Sequence, residues 1–314
     1  MKDTVKPLGQ NLNVGPHTGL NTHYQFDASQ VSQDIIQYYS QVGLDYEPWS
    51  PNYNMHFGYY LMGMNPFKRE PLLVEMNHQV LSRLQLDTDA MNQVIDLGCG
   101  VGATARYCAQ HYENTYITGA TVVPWQIEKA SVFTEQASLH ERASFHLIDY
   151  RNTPFPDNSF NGAYAVESSC YADGTSKASF INEAFRILKP GARLVVADGF
   201  RKRTKSNPLF EKAFRLVCKG WSVDTFANIH DFTQALRDAG FVDIKVKDSS
   251  WRALPSVLHV PWVSIKYFFS NIAMKKGERT MQKMHFIAPV MGMVIGMHRR
   301  DFAYYLVSAR KPEQ

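Results

Sequence analysis

The stretch Val94-Ile95-Asp96-Leu97-Gly98-Cys99-Gly100-Val101-Gly102 is an apolar run that ends on an acid and passes into three glycines at alternate positions. Its first half has the length and composition of a buried strand, and the residues that follow, about Ala103 to Tyr112, read as a helix. Glycine lets backbone approach a ligand where a Cβ would collide. The first turn of the helix adds free N–H groups and the positive end of its dipole. A dinucleotide loop spaces its glycines G-x-G-x-x-G, whereas Gly98, Gly100 and Gly102 stand as G-x-G-x-G directly behind Asp96. The plain alternative is a tight strand-to-helix turn that binds nothing.

Outward from this loop the pattern alternates regularly. Strands are expected at 93–97, 115–120, 143–148, 160–166, 192–198, 241–248 and 302–309, and helices at 103–112, 125–138, 175–188 and 231–239. Lys189-Pro190-Gly191 stops one helix and turns the chain into the next strand. Such alternation predicts an α/β fold: a doubly wound, mostly parallel seven-stranded sheet with helices on both faces. Upstream, helices are expected at 31–42 and 71–84, with an unusually aromatic segment at 46–60 between them. The expected layout is a flexible tail over 1–28 and one domain over 29–314. Within that domain, 29–90 form a helical cover, 91–250 the ligand-binding core, 251–300 a helical insertion rich in Trp, Phe, Tyr and Met, and 301–314 the last strand and C-terminus.

A chain of 314 residues with 45% hydrophobic content can bury one sizeable core. The net charge of +4 is spread out except at Arg201, Lys202, Arg203 and Lys205, which is no nucleic-acid signature. For that basic run, a solvated loop is set against a phosphate-binding role. Cys99, Cys108, Cys170 and Cys218 show neither disulfide nor zinc spacing, which points to a reducing cytoplasm. No apolar run reaches the roughly 18 residues of a membrane span. Nothing in the sequence decides against a homo-oligomer.

In an open α/β sheet the ligand lies beyond the carboxyl ends of the strands. Behind the first strand come Asp96, Gly98, Gly100 and Gly102. Behind the second, where nucleoside-binding sheets commonly place an acid for the ribose hydroxyls, stands Thr121. Its hydroxyl and the Gln126 amide offer the same hydrogen bonds without charge. Behind the third, Asp149 can accept from an adenine amino group while Ile148 or Tyr150 covers the ring; a turn or helix-capping role is an equal alternative.

Several features together resemble the class I S-adenosylmethionine-dependent methyltransferases, from Val94 to Asp198. They are the glycine loop, Thr-x-x-Pro-x-Gln at 121–126, Asp149 through Pro154-Phe155-Pro156-Asp157, and Leu188-Lys189-Pro190-Gly191. The Thr in place of the ribose acid, followed by Pro-x-Gln, is similar to the tocopherol, sterol and isoprenyl diphosphate C-methyltransferases and to the cyclopropane-forming enzymes. These alkylate a carbon–carbon double bond or an electron-rich ring. Met55-His56-Phe57-Gly58-Tyr59-Tyr60 resembles the aromatic cover that these enzymes fold over the methyl donor. Glu167-Ser168-Ser169-Cys170-Tyr171 and Asn228-Ile229-His230 resemble the geranyl diphosphate C-methyltransferases, which carry a Glu and an Asn-Ile-His at corresponding places.

The resemblance implies S-adenosylmethionine as cofactor, held by Asp96, Gly98, Gly100, Gly102, Thr121, Gln126, Asp149, Tyr150 and Tyr60. Its chemistry asks for a π-rich or negative wall for a carbocation and a base to take a proton. Glu167 fits both needs, and Tyr39, His56 and Tyr59 are the further catalytic candidates; the plain reading of Glu167 is a residue that orients local backbone. Trp49, Tyr171, Trp221, Phe226, Asn228, His230 and Trp251 are the candidate substrate contacts, with capping beside Asp231 as the alternative for His230. Donors for a diphosphate are sought among His56, Asn228, His230, Arg151 and the 201–205 run, and Mg2+ would suit such a head although no carboxylate cluster announces its site.

The expected activity is C-methylation of a prenyl diphosphate, farnesyl diphosphate first, with cyclisation as a further option. Methylation of a free tocopherol-like phenol or sterol, N- or O-methylation of a small metabolite, and cofactor binding without catalysis are the alternatives.

Overall fold

The computed structural model describes Phe26 and residues 33–263 and 290–313. The expected tail over 1–28, apart from Phe26, and the middle of the expected insertion, with Tyr267, Phe268 and Phe269, lie outside the described residues.

The opening stretch forms β1 (Asn92–Leu97), the pivot of a seven-stranded sheet. The chain steps outward on one side to β2 (Thr115–Thr121) and β3 (Ala143–Leu147). It then returns to the other side of β1 for β4 (Phe160–Val166) and β5 (Leu188–Arg201), all parallel. The last strand, β7 (Phe302–Arg310), is inserted antiparallel between β5 and β6 (Val242–Asp248), giving the order β3-β2-β1-β4-β5-β7-β6. The order in which strands are laid down reverses between β1 and β4, and a crevice opens at the carboxyl ends of strands at such a switch point.

Side chains alternate between the two faces, so each face carries its own core. Along β5, Leu194 and Val196 enter one cluster with Phe180, Ile181, Phe200 and Phe232. Val195 and Ala197 enter the other with Met76, Val80, Cys108 and Ile127. The edge strand β6 is largely exposed and carries Asp243, Lys245, Lys247 and Asp248, charges that blunt pairing with another chain.

The expected helices are present with shifted ends: α1 (Gln33–Val42), α2 (Arg69–Leu81), α3 (Ala103–His111), α4 (Pro124–Gln136) and α5 (Ala178–Ile187). One helix was hidden in what reads as a loose basic loop. α6 (Pro208–Gly220) has Asn207 capping it by accepting from the Phe210 N–H (2.8 Å), Pro208 in its first turn, and Phe210, Ala213, Phe214 and Val217 on its buried face. α7 (Ile229–Asp238) starts at Asn228, whose side chain accepts from the His230 N–H (2.9 Å). α8 (Ser250–Val257), followed by a helical stretch over 260–263, and a helix over 290–297 are what the described residues show of the expected insertion. The second of these docks Ile295 among Phe210, Phe214, Val223 and Phe226.

Candidate active site

The glycine loop is pinned before any ligand enters. Gly98 and Cys99 both donate N–H to Ala120 O (2.9 Å each), and Arg106 ties Val101 O to Asn52 O of the cover segment. Gly98 lies at φ +97°, where a Cβ would sit 2.3 Å from Ser168 Cβ. The same Ser168 donates its hydroxyl to Leu97 O (2.5 Å) and accepts at its carbonyl from Tyr150 Oη (2.8 Å). Thus the loop behind β1 and the turn behind β4 touch directly, and only glycine lets them do so.

A cavity of about 450 Å³ opens at this switch point. Asp96, Gly98, Gly100, Thr121, Gln126, Asp149 and Tyr150 line it, together with Tyr39, Met55, His56, Glu167, Tyr171 and Val223. Thr121 donates its hydroxyl to Gln126 Oε1 (2.6 Å), so the two residues act as one buried polar unit. Asp149 is held by Arg151, which also reaches Asp173 (2.8 Å) at the mouth. Burial pushes Asp96 up to about 7, against the neighbouring Tyr164. A cationic ligand should therefore bind more weakly as pH falls through 7, because the carboxylate facing it becomes neutral. Calorimetric titration of the methyl donor on either side of that value checks this, and Asp96→Asn should remove the pH step.

Glu167 follows β4 at φ +50°, a left-handed conformation that a non-glycine residue adopts only under constraint. Its N–H donates to Ala197 O (2.8 Å). Its Oε1 accepts from the Phe57 N–H of the cover segment (2.6 Å) and from the Tyr304 hydroxyl of β7 (2.9 Å). Burial raises the carboxyl to about 8, these two bonds work in the opposite direction, and nearby Asp198 raises it further. The turn that carries it is caged from below: Asp198 accepts from Ser169 Oγ (2.6 Å) and the Cys170 N–H (3.0 Å). Lys177 is fully buried and donates to Cys170 O, Ala172 O and Thr225 O. Above it, Tyr39 and Tyr171 hydroxyls lie 2.9 Å apart, with their rings edge to face.

The cover is itself stapled to the core by a polar chain: Asn54 to Glu70, Asn77 to Asn54, and Thr104 of α3 to Asn77. It presents His56, whose Nδ1 lies 2.9 Å from Phe57 O and whose buried Nε2 has no partner among the described residues. Burial lowers the pKa of this imidazole, which keeps it neutral.

Other sequence candidates are placed elsewhere. Tyr59 is packed in the core under the Lys247 ammonium, and Tyr60 pairs its N–H with Arg252 O; neither lines the cavity. Trp49 lies behind the cover, between Phe57 and the Arg69 guanidinium. Trp221 and Phe226 belong to the α6 cluster, where Trp221 O accepts from Tyr171 Oη (3.2 Å). Asn228 is spent on capping α7, His230 is exposed, and Trp251 is 70% exposed against Arg299. Among the described residues, no cavity-lining residue comes from the 251–300 segment; α1, residues 53–56 and residues 218–224 do the covering. The sequence does not single out Tyr304 or Lys219, and it offers Ser168 and Met55 only as members of longer motifs with no role of their own. Tyr304 looks there like any aromatic in a strand, and only its pairing with Gly199 at the carboxyl edge brings it to Glu167.

The residues fit an S-adenosylmethionine molecule: a cradle at Gly98 that a Cβ would fill, the two acids Asp96 and Asp149, and a neutral hydroxyl–amide pair, Thr121 with Gln126. Residues 94–191 match the model of the methyltransferase domain family. The chain is 28% identical over 267 residues to an S-adenosyl-L-methionine-dependent Diels-Alderase of Talaromyces variabilis, covering 82% of this chain and 87% of that protein. It is 34% identical over 177 residues to the 2-methyl-6-phytyl-1,4-hydroquinone methyltransferase of Synechocystis, covering 55% of this chain and 54%, about half, of that one. The structure of geranyl diphosphate C-methyltransferase from Streptomyces coelicolor superposes with a TM-score of 0.66 at 16% identity, over 89% of this chain and 97% of that one. Among the described residues no helix is long and apolar enough to cross a membrane, and no group of three His, Cys, Asp or Glu side chains could hold a metal. With its glycine cradle, its switch-point cavity and its family match, the chain carries a class I S-adenosylmethionine-dependent methyltransferase domain.

Proposed function

We propose that the protein methylates a double-bond carbon of a prenyl diphosphate, farnesyl diphosphate first, with Glu167 as the base that ends the reaction. The observation that carries this reading is Glu167 itself: a half-buried carboxylate on the cavity wall, raised to about 8 and aimed by Phe57 and Tyr304. Nitrogen or oxygen acceptors need only a positioned nucleophile, whereas an alkene that takes a methyl becomes a carbocation and must then lose a proton. S-adenosylmethionine, when bound, supplies an electrophilic methyl group. Asp96, Thr121 with Gln126, and Asp149 orient the donor, while Tyr39 and Tyr171 present π-faces and hydroxyls to the acceptor side. The neutral His56 offers its unpaired Nε2 as a hydrogen-bonding group. Arg151 and Lys219 are the cations at the mouth, where a diphosphate head would lie; a magnesium ion bound with that head would be held by the substrate as much as by the chain.

A second reading has its own support. The similarity to a Diels-Alderase spans most of both chains, and a Glu167 that is mostly protonated near neutral pH can donate a hydrogen bond to a carbonyl, which favours ring closure without methyl transfer. Incubation with methyl-labelled donor and geranyl, farnesyl and geranylgeranyl diphosphates, with mass analysis before and after phosphatase, separates the two. Label in an isoprenoid product, with inhibition by pyrophosphate, supports the first. Label in a free lipid only, or no label in any product, rejects it.

A further inference from the structure

A second cavity, of about 400 Å³, lies at the corner where β5 ends and β7 begins. Its wall brings together two segments far apart in sequence, 203–207 and 297–301, with the cations Arg203, Lys205, Arg299 and Arg300 and the imidazole of His298. A single acid, Asp301, lines it. Arg299 is paired with Asp248, and Asp301 has His298 Nδ1 at 2.9 Å and Arg203 at 3.8 Å, which leaves Lys205 and Arg300 with no ion pair among the described residues. Ser206 Oγ and Arg299 Nε are buried there with no hydrogen-bond partner among the described residues. Unpaired buried donors under a ring of cations are the features of an anion site. The apolar surroundings narrow the anion: Leu209 (78% exposed), Met297 (53%) and Trp251 (70%), the last stacked on Arg299, rim the same corner. A free ion has no use for exposed apolar side chains, whereas a lipid interface receives both charges and apolar tips.

We propose that this corner seats on an anionic lipid surface, with a phosphate headgroup in the cavity and Leu209, Met297 and Trp251 in the interfacial layer. It shares no lining residue with the active-site cavity, so its role is to dock the protein where apolar molecules reside. The test is co-sedimentation of the full chain with phosphatidylcholine vesicles, with and without phosphatidylglycerol. Binding should require the anionic lipid and weaken with salt. Arg203→Ala, Lys205→Ala and Arg300→Ala together should lower partitioning about a hundredfold, at about fivefold per cation. Leu209→Ser with Met297→Ser should lower it by at least about tenfold. Both sets should leave melting temperature and donor affinity unchanged, since all five residues are exposed. Absent binding, equal binding to neutral vesicles, or binding of inorganic phosphate without vesicle retention would overturn the proposal.

Discussion

Glu167→Gln should lose methyl transfer by about 100- to 10,000-fold while binding the donor as tightly as the parent. Gln keeps the shape and can still accept from Phe57 and Tyr304 through its carbonyl oxygen, so the turn behind β4 should stand. What it loses is the negative charge that offsets a cation and the basicity that removes its proton. Donor affinity is the control, since the groups facing the donor, from Asp96 to Asp149, are untouched. A variant with the parent's rate would make Glu167 an architectural residue, and the site would then suit a nucleophilic acceptor.

Gly98→Ala should weaken donor binding by on the order of 100-fold. Two costs add: an alanine at φ +97° is strained, and its methyl would lie 2.3 Å from Ser168 Cβ and 2.7 Å from Ser168 Oγ. Relief requires the loop to leave Ala120 O or the β4 turn to leave Leu97 O, and either shift moves the donor cradle away from Glu167. Adding Ser168→Gly removes the collision but not the strain, so part of the affinity should return. Calorimetry on the single and double variants measures both terms. An unchanged affinity in Gly98→Ala would mean that the donor does not lie against this loop.

The order of strands and the glycine cradle were legible because each is encoded locally: alternating apolar runs give the strands, and a glycine triplet behind an acid gives the loop. Thr121 and Gln126, five residues apart, also form a local pair and are found together. Contacts set by tertiary structure were not legible. Tyr304 meets Glu167 across 137 positions, and nothing in a strand of nine largely buried residues marks one tyrosine as polar in function. Asn228 shows the opposite case: a motif that suggested substrate contact is explained by the cap that α7 requires. α6 is hard to read from the sequence because its exposed face carries Lys and Arg, and the basic run before it masks the Asn-Pro start that marks a helix. Tyr59 and Tyr60 enter the reading with the resemblance over residues 55–60 and Trp251 by its aromatic type, yet none of the three lines the cavity: Tyr59 is buried in the core, Tyr60 pairs its backbone with Arg252, and Trp251 is exposed.

The most direct test of Glu167 as base is the pH profile of methyl transfer at saturating donor, in the parent and in Tyr304→Phe. Burial raises this carboxyl to about 8, so the active, ionised form is gained as pH rises. The rate should climb with pH to a plateau. Tyr304 donates to the carboxylate and lowers its pKa, so Tyr304→Phe should move the midpoint to higher pH and leave the plateau within about tenfold. A profile that is flat or falls with pH, or a midpoint that Tyr304→Phe leaves in place, would contradict proton removal by Glu167.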